Sequence, residues 1–118
     1  MKGQCHCGNV KLEIPEVTET GTSCNCSVCS RYGAIWGYFT KADVTLTIGD
    51  GGLSSYCYGD KSISFNFCKV CGGLTHYSST THGAGERLAV NYRMFGPDVL
   101  EQIRIRHFDG AATWKYLD

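Results

Sequence analysis

No run of apolar residues in this 118-residue chain approaches the roughly 20 needed to cross a bilayer as a helix. Net charge is missing as well. The 11 Lys and Arg balance 11 Asp and Glu, leaving no broad field to draw in nucleic-acid phosphates or anionic lipid. Neither a nucleic acid nor a membrane is therefore expected as a partner. There are only two prolines, and no low-complexity tract, charge block or solenoid-length repeat, so a single domain over residues 1–118 is expected. Met1-Lys2-Gly3-Gln4 leads straight into cysteines without an apolar leader core, which favours a cytoplasmic protein. Several catalytic templates are also absent: H-E-x-x-H, G-x-S-x-G, the P-loop, the dinucleotide glycine fingerprint, and the H-x-E and P-C-x-x-C pair of zinc deaminases.

What the chain has in excess is cysteine, eight residues in all. Seven fall into three clusters: Cys5-His6-Cys7, Cys24-Asn25-Cys26-Ser27-Val28-Cys29 and Cys68-Lys69-Val70-Cys71. In a reducing compartment such thiols stay free for metal, and short Cys-x-Cys and Cys-x-x-Cys gaps suit a tetrahedral zinc better than structural disulfides. Gly8 and the Gly72-Gly73 pair follow two of the clusters, where the chain must turn sharply and aim backbone N–H groups at sulfur. A structural zinc closes on four protein ligands, whereas a catalytic one keeps a position free. Ligand counting thus assigns Cys5, Cys7, Cys68 and Cys71 to a closed structural site, and Cys24, Cys26 and Cys29 to an open catalytic one. The alternative pools Cys57 with the triplet into a second closed site. Otherwise Cys57 is a small buried hydrophobe in the strand-like Ser55 to Tyr58. Among the histidines, His6, His76 and His107 read as bystanders, and His82 in a polar, glycine-containing loop is the best proton shuttle.

Period-two alternation dominates the rest. Val10, Leu12 and Ile14, then Val44, Leu46 and Ile48, then Ile63, Phe65 and Phe67 alternate with polar residues, as half-buried strands do. Further strands are expected at 35–39, 55–58, 74–78, 88–92 and 104–108, split by turns such as Gly49-Asp50-Gly51-Gly52, Gly59-Asp60 and Gly83-Ala84-Gly85. Short helices are expected at 27–32 and from Pro97 to about Gln102. The fold class is mainly β and mostly antiparallel.

The runs Gly3-Gln4-Cys5-His6-Cys7-Gly8-Asn9-Val10, Cys24-Asn25-Cys26-Ser27-Val28-Cys29-Ser30-Arg31 and Phe67-Cys68-Lys69-Val70-Cys71-Gly72 together resemble the glutathione-dependent formaldehyde-activating enzyme family, also called the CENP-V type. Leu88 to Arg93 and His107-Phe108-Asp109-Gly110 extend the likeness along the chain. The resemblance implies an Mss4-like fold of small antiparallel sheets organised around zinc. It places a structural zinc at Cys5, Cys7, Cys68 and Cys71 and a catalytic-type, labile zinc at Cys24, Cys26 and Cys29. It also implies a carbon-sulfur lyase whose partners are a thiol, glutathione, and an aldehyde, formaldehyde, joined as S-hydroxymethylglutathione. Glutathione carboxylates would favour an arginine, and Arg31, two residues past Cys29, is the candidate. The competing reading is a noncatalytic zinc scaffold or protein-interaction module.

Overall fold

The computed structural model describes residues 1–59, 61–80 and 86–118 and is built on two sheets. The smaller joins β1 (Lys2–Gln4), β2 (Val10–Glu13) and β5 (Thr45–Ile48) in the order β1-β2-β5, all antiparallel. The larger is composed of β3 (Thr20–Cys24), β4 (Trp36–Thr40), β6 (Leu53–Tyr56), β7 (Ile63–Cys68), β8 (Leu74–Ser79), β9 (Arg87–Asn91), β10 (Arg104–Asp109) and β11 (Lys115–Tyr116). Its order is β11-β10-β3-β4-β9-β8-β7-β6. Helix α1 spans Ser27–Tyr32 and α2 spans Pro97–Gln102, where the sequence places them, with Pro97 opening α2. No described helix is long and apolar enough to cross a membrane.

The architecture is mainly β, as the alternation implies, with the cysteine-centred sheets of an Mss4-like fold. It departs from an all-antiparallel plan at one seam, where β10 runs parallel to β3 with Arg104 opposite Thr20 and Phe108 opposite Cys24. Strand β2 shows why alternation works. Val10 and Leu12 are buried while Lys11 and Glu13 face solvent, and Leu12 and Ile14 join Ile35, Val90, Tyr92 and Ile103 in the core between the sheets. Strand β3, Thr20-Gly21-Thr22-Ser23-Cys24, carries no such pattern. It is a strand because Gly21 lets Ile35 and Ile103 close over it: a Cβ there would lie 2.8 Å from each.

Two boundaries differ from expectation. Strand β6 ends at Tyr56, so Cys57 lies beyond it and is half-buried, not a strand-core hydrophobe. Tyr92 leaves β9 for a single 3-10 turn, Tyr92–Phe95, because the Asn91 side chain caps it by accepting from the Arg93 N–H. The expected turn at Gly83-Ala84-Gly85, residue Asp60 of the Gly59-Asp60 turn, and the shuttle candidate His82 lie outside the described residues.

Candidate metal centres

The turn between β1 and β2 carries Cys5 and Cys7, while Cys68 ends β7 and Cys71 lies in the turn that leads to β8. Their four sulfurs all lie within 4.8 Å of one another. Cys5 Sγ is 3.7 Å from Cys7 Sγ, which is 3.6 Å from Cys68 Sγ. A tetrahedral zinc with Zn–S bonds of about 2.3 Å sets its sulfurs about 3.8 Å apart, so the spacing and the all-thiol donor set fit zinc. Gly8 and Gly72 adopt the left-handed conformation that such tight turns require. The turns then aim donors at sulfur. Val10 N–H donates to Cys5 Sγ, while Val70 N–H, Cys71 N–H and the Asn9 amide donate to Cys68 Sγ at 3.3 to 3.4 Å. Desolvation opposes ionisation of Cys68, but these donors outweigh it and hold the thiol down at about 6. At Cys7 the Asn9 N–H pulls the other way from desolvation and the neighbouring thiols, which win and push it up to about 11. Such a split is what a crowded thiol group shows when its first proton is easily lost and its later ones are not.

The second cluster forms where β3 gives way to α1. Cys24 ends the strand, Cys26 caps the helix and Cys29 lies in its first turn, with all three sulfurs within 4.8 Å. Cys26 Sγ accepts the Cys29 N–H at 3.3 Å, filling the role an N-cap oxygen usually plays. Although desolvation raises it, this N–H and the Cys29 and Cys24 thiols bring Cys26 below its ordinary value. Burial pushes Cys24 and Cys29 up. The Trp36 indole N–H, buried without an acceptor of its own, opposes that rise at Cys29. The intervening Asn25 donates to Asp109 Oδ1 at 3.0 Å and accepts from Ala111 N–H at 3.0 Å, which ties this loop to the turn between β10 and β11. Cys57 belongs to neither group of thiols.

All three sulfur residues of this second cluster, and none of the first, line a cavity of about 630 Å³. One wall is Trp36, Phe65 and Tyr77, packed edge-on or tilted with centroids 4.8 to 6.2 Å apart. A second aromatic group, at the rim, is Phe108, Trp114 and Tyr116, with Phe108 edge-on to both others at 5.1 and 5.0 Å. Among the described residues Arg87 is the charged one in the lining, its guanidinium 5.3 Å from the centre of the Tyr38 ring. Arg31 lies elsewhere. It donates to Ser27 O at 2.8 Å and lines a neighbouring groove of about 500 Å³ with Tyr32 and Tyr56, which meets the cavity at Val28 and Tyr58. His6 and His107 are exposed, and His76 is buried with Nδ1 2.8 Å from Thr75 Oγ1. Sequence reasoning located both thiol clusters but not Asn25, Arg87, Gly110 or Trp114 as their surroundings. Only Asn25, set between two cysteines, carried a local signal.

A family model described as glutathione-dependent formaldehyde-activating enzyme matches residues 1–102. The crystal structure of a structural-genomics target protein from Rhodobacter sphaeroides is similar to this one with a TM-score of 0.71. It is 30% identical over 89% of this chain and 99% of that one. No curated protein gives a significant match.

Proposed function

Because this chain belongs to the glutathione-dependent formaldehyde-activating enzyme family, we propose that residues 1–118 act as one zinc-dependent domain of the carbon-sulfur lyase type. It joins and cleaves the bond between a thiol and an aldehyde, with glutathione and formaldehyde giving S-hydroxymethylglutathione as the leading pair. The observation that carries this reading is the asymmetry of the two clusters: four sulfurs packed together away from the cavity, three sulfurs opening onto it. Cys5, Cys7, Cys68 and Cys71 would hold a structural zinc, and Cys24, Cys26 and Cys29 a second one with a position left for a reactant.

A zinc ion there would supply Lewis acidity toward a thiol or a carbonyl oxygen. The chain's own residues do the rest. The N–H at the start of α1 favours ionised sulfur in Cys26, and the Trp36 indole lessens the rise that burial imposes on Cys29. Trp36, Phe65 and Tyr77 exclude water, which otherwise hydrates the aldehyde and competes for its carbonyl carbon. Arg31, in the groove that joins the cavity at Val28, would take a carboxylate at the outer end of the thiol. A reducing compartment such as the cytoplasm would keep all these thiols available.

The test is zinc content together with glutathione-dependent formaldehyde consumption in the wild type, Cys26→Ser and Cys68→Ser. Cys26→Ser should keep the fold and one zinc while losing turnover. Cys68→Ser should collapse, because structural zinc contributes on the order of 10 kcal/mol to folding. Unaltered turnover in Cys26→Ser would leave a zinc scaffold as the better reading, and equal collapse of both variants would abolish the division of labour.

A further inference from the structure

Formaldehyde has two heavy atoms, and a molecule of water's size occupies about 30 Å³. The cavity beside Cys24, Cys26 and Cys29 offers about 630 Å³, in the range of pockets that enclose drug-sized ligands. Glutathione does not account for that chamber well. It carries an ammonium and two carboxylates, while the described lining holds no acidic side chain and a single cation, Arg87. The groove beside Arg31 is the more polar berth for its outer end. What the chamber presents is two groups of aromatic side chains.

The rim is the specific part. Phe108, Trp114 and Tyr116 come from the C-terminal hairpin of β10 and β11, past residue 102 where the family match ends. Trp114 is 72% exposed, yet its backbone is in the left-handed region at φ 60°, which a bulky residue seldom enters. The turn holds it there. Trp114 N–H donates to Asp109 O at 2.7 Å, and Thr113 donates through both N–H and Oγ1 to Asp109 Oδ2. An indole fixed in an unfavourable backbone conformation, and mostly in solvent, contributes little to core packing. It is positioned to cover something that enters the cavity. Among the described residues no carboxylate forms an ion pair with Arg87, which rests over the Tyr38 ring.

We propose that the carbonyl partner of this site is an aromatic aldehyde bearing a carboxylate remote from the carbonyl. Its ring lies among Phe65, Tyr77, Phe108 and Trp114, and its carboxylate lies at Arg87. The proposal rests on the thiol–aldehyde reading above and names the substrate class for it. The thiol sulfur bonds to the carbonyl carbon, the C=O π pair moves to oxygen, and that oxygen takes the proton the thiol gives up. The product is a hemithioacetal, formed without oxidant or reductant.

Two measurements on the zinc-loaded full chain separate this proposal from the function it rests on. Binding of the unreactive analogue 4-(hydroxymethyl)benzoate, compared with benzyl alcohol, is followed by calorimetry in the wild type, Arg87→Gln and Trp114→Ala. Both residues are exposed, and circular dichroism checks that each variant keeps the fold. The carboxylated ring should bind at least tenfold tighter than benzyl alcohol. Arg87→Gln should erase that preference, and Trp114→Ala should weaken both ligands about fivefold. No binding, or binding indifferent to both variants, overturns the proposal. Glutathione turnover is then compared for 4-carboxybenzaldehyde and formaldehyde as rate enhancement over the uncatalysed addition, with the larger enhancement expected for the former. Formaldehyde turnover without ring binding upholds the function and overturns the proposal. Ring binding that responds to both variants, with no turnover of either aldehyde, supports the ligand class and overturns the thiol–aldehyde reading.

Discussion

Gly110 passes the sulfur of Cys24 so closely that a Cβ in its place would stand 2.7 Å from Cys24 Sγ and 3.2 Å from Cys26 Cβ. Sulfur and carbon do not approach that near without moving, and the sulfur here belongs to a thiol whose place is set by two others. Gly110→Ala is therefore expected to push Cys24 out of convergence with Cys26 and Cys29. The zinc affinity of the three-thiol cluster should fall by roughly the 10- to 100-fold typical of a disturbed ligand shell. The four-thiol cluster, which shares no contact with Gly110, should keep its metal. Stepwise titration with a chromophoric chelator would report both affinities, and two unchanged zinc-binding steps would contradict the argument. The same crowding explains why Gly110 escaped sequence reading. Its role depends on a neighbour 86 residues earlier, and glycine before a turn looks the same whether or not a sulfur lies behind it.

Helix α1 has six residues, too few to persist alone in water. It is held by the Cys26 cap, by Gly33 in the left-handed conformation at its end, and by Asn25, which bridges its entry loop to Asp109 and Ala111. Asn25→Ala removes both ends of that bridge while leaving every thiol in place. We expect the second zinc to bind about tenfold more weakly and the global melting point to move little, since the two hydrogen bonds, one part-buried and one exposed, are worth about 1 kcal/mol each. An unchanged zinc affinity, measured by chelator competition, would show that the loop holds its shape unaided. Strands and ligand spacing were legible wherever one segment carries its own signal, as in β2 or Cys24-Asn25-Cys26-Ser27-Val28-Cys29. β1, β3 and β11 were not, because Lys2-Gly3-Gln4, Thr20-Gly21-Thr22-Ser23-Cys24 and Lys115-Tyr116 show no apolar alternation; β1 and β11 are short hairpin arms, and β3 pairs in parallel with β10, far along the chain. Arg31 illustrates the limit of proximity in sequence. Residues two apart on a helix do not share a face, so the arginine beside Cys29 points into the neighbouring groove, while the cavity's cation comes from β9.

At the scale of the whole molecule, the four-thiol cluster joins the two sheets, since Cys5 and Cys7 leave the three-stranded sheet and Cys68 and Cys71 leave the eight-stranded one. A metal held there would couple folding to its own binding, and acid should weaken both by protonating thiolates. A second acid-sensitive element lies in the eight-stranded sheet. His76, in β8, is 2% exposed, and burial lowers its pKa from 6.5 to about 4. Between those values the unfolded chain holds a proton that the folded one does not, so stability rises with pH across the window and falls as pH drops from 6.5 toward 4. The loss attributable to this residue is about 3 kcal/mol, complete once the pH is below the folded value. Urea unfolding of the zinc-saturated wild type and of His76→Gln, repeated from pH 7.5 to 4, separates the two effects. Thiolate protonation acts on both proteins alike, whereas the imidazole acts on one. The wild type should lose about 3 kcal/mol more than His76→Gln over that range, and parallel profiles would mean that His76 keeps its proton equilibrium unchanged on folding.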